Sequence, residues 1–199
     1  MNCKLNLEKS SVEGKHGQRY YGGTLCSAYN PKHDGPSTLG QMAHDKFRQT
    51  ILINIAEFRF LSKKFRPNLD VILTKKYSLS FVAEKTEKGW IAKDILIEPQ
   101  KSLHTSLLEY SLLDYLKLFV DHERIYCGGI VSFVYADHRE GQLVHDDIPM
   151  HIRACSWDFV NENGLPLHPN LQKLRDDKDP LSFLIVVSND GACAHVSSM

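Results

Sequence analysis

No stretch of this 199-residue chain approaches the run of about eighteen apolar residues that a membrane-spanning helix needs. Its first ten residues, MNCKLNLEKS, lack the apolar centre of a secretory signal. Cysteine is scarce and unpatterned. Cys3, Cys26, Cys127, Cys155 and Cys193 are odd in number and contain no CxxC pair, which excludes a disulfide framework and a cysteine zinc site and points to a reducing compartment. An excess of either charge is also missing, since 24 basic residues cancel 24 acidic ones. The clustered basic footprint of a nucleic-acid binder is therefore absent. The small patch at Lys63-Lys64-Phe65-Arg66 and Lys75-Lys76 reads as a helix end and a strand edge. There is no glycine-rich phosphate loop, no evident internal repeat and no low-complexity tract. These absences lead to an expectation of no membrane and no nucleic acid, and of a cytoplasmic protein or one delivered into another cell's cytosol.

What is present is enough apolar residue to build a core, at 42% of the chain. Residues 1–37 carry glycines and prolines without a sustained period, so they read as a loop-rich lead-in with at most a short strand around Tyr20-Tyr21. Residues 38–199 read as a single α+β domain. Thr38 with Gln41 matches a capping box. Ala43, Phe47, Ile51, Ile55, Phe58 and Ser62 follow at helical spacing, which predicts a long amphipathic helix ended by Arg66-Pro67. His44-Asp45 spells the dipeptide of phosphohydrolase helices, and reads here as solvent-facing helix surface.

Strands are expected over Asp70–Thr74, Ser78–Ala83 and Trp90–Glu98. A second, shorter helix is expected from Ser106, with Leu108, Leu112, Tyr115, Leu116 and Phe119 as its buried stripe. His104-Thr105-Ser106 and His195-Val196-Ser197 form a pair of H-x-S motifs, but Ser106 already has a helix to cap. A short helix is expected within Leu165–Asp177 and a doubly covered strand over Leu181–Val187, with Ala192–Ser197 returning beside it. The fold class that results is α+β, a mainly antiparallel sheet built from hairpins with one long and one shorter amphipathic helix.

The densest chemistry lies in Tyr126–Trp157. Tyr126–Ala136 reads as one strand, Asp137–Gly141 as a turn, and Gln142–Trp157 as a second strand. Side chains alternate faces along a strand, so His145, Asp147, His151 and Arg153 would share a face opposite Val144, Ile148, Met150, Ile152 and Ala154. An imidazole and a carboxylate two residues apart on one face can reach one metal ion.

With His195 further on, the His145-x-Asp147 pair resembles the ligand order of Fe(II)/2-oxoglutarate oxygenases, whose jelly-roll strands carry H-x-D and then a distant histidine. Tyr135, Gly141-x-Leu143, Arg153 and Asn161 fall in a similar local context. The resemblance implies Fe(II), or another divalent metal, held by His145, Asp147 and His195. Only four residues follow His195, so Arg153 would have to hold the 2-oxoglutarate carboxylate that a later strand holds in the family.

Two further readings compete. Cys26, following Gly22-Gly23-Thr24-Leu25, could act as a thiolate nucleophile with His145 and Asp147 completing a triad. The third reading needs no catalytic group at all. It is a binding or regulatory module that meets a protein partner through a sheet edge or helix face, and it is the one the sequence favours.

Overall fold

The computed structural model describes residues 14–32, 35–61, 65–100, 107–161, 163–189 and 191–197. The chain is mixed α+β, mostly strands, and the strands form barrels. The first ring is made of β1 (Arg19–Tyr29), β2 (Leu39–Ala43), β3 (Ile51–Asn54), β5 (Ser78–Thr86) and β6 (Gly89–Ile97). They close in the order β1-β2-β3-β6-β5, every pairing antiparallel except β3 with β6. Between β3 and β5 come a 3-10 turn (Ile55–Glu57), the two-residue β4 (Arg66–Pro67) and helix α1 (Leu69–Lys75).

The second half runs the same course. β7 (Tyr126–Val134), β8 (Glu140–His145) and β9 (Ile148–Cys155) are followed by a 3-10 turn (Ser156–Asp158) and β10 (Phe159–Val160). Helix α3 (Leu171–Asp177), β11 (Leu181–Ser188) and β12 (Gly191–Ser197) complete it. The seven-stranded sheet β10-β12-β11-β7-β8-β9-β4 curls until β12 meets β9 in parallel at Cys193 and Arg153. Around each ring the order is first, second, third, fifth, fourth strand, with a helix between third and fourth. That is the arrangement of an OB barrel.

The residues recur with the topology. Tyr20-Tyr21-Gly22-Gly23 returns as Tyr126-Cys127-Gly128-Gly129, and Gly40-Gln41-Met42-Ala43-His44-Asp45 as Gly141-Gln142-Leu143-Val144-His145-Asp146. Pro67-Asn68-Leu69 returns as Pro169-Asn170-Leu171, and Leu79-Ser80-Phe81 as Leu181-Ser182-Phe183. The reading of no internal repeat is corrected: the chain is two copies of one barrel. Some of these positions are fixed by space. Gly22 and Gly128 both have φ near the left-handed region (86° and 91°). A Cβ on Gly40 or on Gly141 would stand 2.6 Å from the carbonyl oxygen of Ser27 or Phe133.

Several expected elements are corrected. The long helix over 38–66 is not formed. Ile51–Asn54 alternates buried and exposed as a strand does, and the backbone of Thr38 is spent on Tyr29 and Ile55 rather than on a helix start. The helical stripe arose because two short strands flank the polar loop 44–50. Asp70–Thr74 lies in α1, not a strand. Asn68 caps α1 by accepting from the amides of Asp70 and Val71, and Lys76 ends it in the left-handed conformation. Gln142–Trp157 is not one strand, because Asp146-Asp147 turns the chain between β8 and β9. Ser106 lies outside the described residues. The shorter helix there is α2 (Leu112–Lys117), capped by Ser111.

The strands over 78–83 and 90–98, the helix within 165–177 and the strands at 181–187 and 192–197 stand where expected, whereas the short strand expected around Tyr20-Tyr21 in a loop-rich lead-in is the eleven-residue β1 (Arg19–Tyr29) of the first barrel. Three elements tie the barrels together. β4 pairs with the start of β9, and α1 packs on both β1 and β9. Tyr115 of α2 exchanges two hydrogen bonds with Ile97 of β6 while α2 touches β11 and β12. The buried apolar residues of both barrels form one continuous cluster. No helix among the described residues is long and apolar enough to cross a membrane.

Candidate binding surfaces

His145 belongs to a device that each barrel contains once. It ends β8 and lies buried, edge-on to Tyr126 (5.4 Å between ring centres) and to Phe183 (5.8 Å), which are themselves stacked. Its Nε2 donates to the Cys127 carbonyl (3.1 Å), and its Nδ1 accepts from the Asp147 amide (3.1 Å). His44 repeats this after β2, edge-on to Tyr20 and Phe81. It uses Nε2 for the Tyr21 carbonyl (3.0 Å) and Nδ1 for the Lys46 amide (3.1 Å). The H-x-D and HD patterns thus mark one structural element, a histidine that pins the turn after the second strand to the first strand.

The other residues singled out from the sequence are spread. Asp147 stands at the far end of the turn from His145, half-exposed, facing Arg124 (3.4 Å) and Lys75 (3.8 Å). His195 is on β12, paired by its backbone with Leu184. Arg153 bonds Glu140 at 2.7 Å. Cys26 is exposed on β1 of the first barrel, its thiol directed to the Thr24 carbonyl. Among the described residues no three His, Cys, Asp or Glu side chains group to hold a metal ion.

The first surface that can take a ligand is the outer face of the first barrel. Leu52, Asn54, Ile91 and Tyr29 look outward around the β3–β6 seam, where the ladder is held by Leu52 with Ile91 and by a bridge from Phe58 to Ile95. A groove of about 250 Å³ lies along it, lined also by Leu39, Gly40, Ile53, Ala92 and Glu57. Tyr29 and Leu52 are exposed. The Glu57 carboxylate is held by Lys93 at 2.6 Å, so the one acidic group in the lining is neutralised locally.

The matching face of the second barrel is roofed. β9 begins four residues earlier relative to its barrel than β3 does, and that extension carries Ile148, Pro149, Met150 and His151. Arg66 and Pro67 pair with His151 and Met150, and the Asn68 amide donates to the Pro149 carbonyl (2.9 Å). Beneath α1 remains a cavity of about 280 Å³, lined by Pro36, Asn68, Asp70, Val71, Thr74, Lys75, Ser132, Val144, Asp146 and His151. His151 is 3% exposed, and its Nδ1 is sealed without a hydrogen-bond partner. Such an atom costs about 1–3 kcal/mol. Burial holds the ring neutral, depressing its pKa to about 4; Asp70 pulls the other way and Arg66 reinforces the shift.

Strand parity puts His151 on one face with His145 and singles out neither Tyr29 nor Leu52, whereas in the structure His151 is buried at the roof. The repeated G-Q-x-x-H-D was the signal that would have aligned the halves and exposed Leu52 and Arg153 as equivalent positions.

No protein-family model matches the chain, and no curated protein matches it. Among solved structures it is similar to drosophila Unr CSD456, at 11% identity over 90% of this chain, with a TM-score of 0.28. The chain spans 63% of that structure's chain. At that level of likeness, the barrel assignment rests on strand order and on the internal repeat.

Proposed function

We propose that this chain is a binding module without catalysis of its own, and that the groove on its first barrel takes an extended segment of a partner protein. The observation that carries the reading is the lining of that groove. Tyr29, Leu39, Leu52 and Ile91 supply apolar and aromatic surface, and the ion pair Glu57–Lys93 is closed on itself. OB barrels bind ligands on this second- and third-strand face. Nucleic acid at such a face needs cations for its phosphates and aromatic platforms for its bases. Here one tyrosine stands alone, and Lys93 is engaged. An extended peptide fits better, with alternate side chains in the groove and its backbone along the sparsely paired β3–β6 seam.

The test is display selection of peptides against the full chain, followed by anisotropy titration of the best binder. Selected peptides should carry apolar residues at alternate positions. Leu52→Arg, which installs the residue that the second barrel has at this position, should weaken binding by at least about tenfold, as loss of a central anchor does. Undiminished affinity in that variant would sink the proposal. So would salt-dependent binding of single-stranded RNA that competes with the peptide.

A further inference from the structure

The cavity under α1 is chemically unlike the open groove. Asp70 and Asp146 bring carboxylates to its wall, the Asp70 carboxylate already accepting from the Ser37 hydroxyl (2.7 Å) and amide (3.4 Å). Thr74 Oγ1 donates its proton to the Asp70 carbonyl (2.8 Å) and Ser132 Oγ donates to the Gln142 carbonyl (3.1 Å). Both hydroxyls have therefore spent their proton inside the protein and offer lone pairs to a ligand. Asn68 Oδ1 is committed to the helix start. The cationic lining residue is Lys75, 3.8 Å from Asp147. The inner wall is the His151 side chain, at least nine-tenths buried, with its unpartnered Nδ1 sealed behind it. The set is rich in acceptors, poor in donors and biased to negative charge.

We propose that this cavity is a binding site for a small organic cation carrying several N–H donors, an alkyl-ammonium or diamine, held between the Asp70 and Asp146 carboxylates with His151 behind it. An alkyl-ammonium donates charge-assisted hydrogen bonds to carboxylates, and Asp70 and Asp146 both stand exposed to receive them. The volume, just under the usual range for ligand pockets, limits the ligand to a few heavy atoms. The site exists only at the junction. Asp70 and Thr74 come from the first barrel's helix, whereas Ser132, Asp146 and His151 come from the second barrel. A bound cation would therefore also clamp the two barrels together.

The probe is putrescine, titrated into the full-length chain and followed by amide chemical shifts, with butane-1,4-diol as its uncharged counterpart. Putrescine should shift the amides of Asp70, Thr74, Asp146 and His151 with a Kd of about 1 mM or tighter, while the diol leaves them unmoved. Asp146→Asn keeps the shape of a turn residue and removes one charge, so it should weaken putrescine by about tenfold with the rest of the spectrum preserved. No shifts at these amides, equal shifts with the diol, or unchanged affinity in the variant would each overturn the assignment. None of these outcomes bears on the groove of the first barrel.

Discussion

The two barrels share a core and differ at the outer face of their second and third strands. In the first, loop 44–50 separates β2 from β3, and β3 starts only at Ile51. In the second, the chain turns within Asp146-Asp147, so β9 starts early and its added residues accept β4 and α1 as a roof. Leu52 and Arg153 sit at one register position, each facing the fifth strand across a parallel seam, at Ile91 and Cys193. Leucine there leaves an apolar groove, whereas arginine bonds Glu140. The repeated residues build the ring, and loop length and one outward side chain decide whether its face is open.

The most damaging way to probe the equivalence is through the cores. Phe81 and Phe183 are both fully buried, and each stacks on the tyrosine of its own first strand. Gly23 and Gly129 make room for them, since a Cβ would lie 3.1 Å from the Phe81 ring or 2.4 Å from the Phe183 ring. Phe81→Ala and Phe183→Ala should each cost about 3–5 kcal/mol by urea unfolding, with costs alike to within about 1 kcal/mol. A second-barrel variant costing less than half as much would break the equivalence, because its Tyr–His–Phe cluster would then be decoration rather than core.

The strands and the last helix were legible because their patterns are local. Ile91, Ile95 and Ile97 alternate with Ala92, Asp94 and Leu96, and Leu181–Val187 is an unbroken apolar run. The failures have a common cause. Ala43, Phe47, Ile51 and Ile55 satisfy helical spacing as well as two short strands do, and only the tertiary pairing of β2 with β1 and β3 decides between them. Asn68, three residues after Phe65, could have marked a helix start, yet the β-branched run Val71-Ile72 suggested a strand. The site residues failed differently. Parity was counted through Asp146-Asp147 as though the strand continued, which put His145 and His151 on one face. His145 in fact faces the barrel interior and His151 the roof.

A milder test concerns that roof. The His151 imidazole is neutral in the folded state with its pKa held near 4 by burial, while an unfolded histidine titrates near 6.5. Between those values the unfolded chain binds a proton that the folded chain does not, so stability rises with pH there. From pH 7 to pH 5 the protein should lose about 2 kcal/mol through this group, up to about 1.4 kcal/mol per pH unit below 6.5. In His151→Phe that part of the slope should vanish, as measured by urea unfolding across the same range. The first barrel has Thr50, which does not titrate, at the corresponding place, so the acid sensitivity belongs to the junction. A slope that survives the substitution would place it elsewhere.

The smallest expected effect separates the two helix starts, which share the sequence Pro-Asn-Leu. Asn170 is exposed and accepts from the Lys173 amide at 3.2 Å, serving only its own helix. Asn68 is 4% exposed, accepts from two amides at 3.1 and 3.2 Å, and donates its backbone N–H to Pro149 of the other barrel. Asn170→Ala should cost about 1 kcal/mol, an ordinary cap, and Asn68→Ala about 2 kcal/mol, the upper end for caps. The backbone bond to Pro149 survives in both, so the difference isolates what a correctly started α1 adds by lying against β9. Equal costs would mean that the roof over the second barrel is held by β4 alone, and that α1 rests on it without contributing.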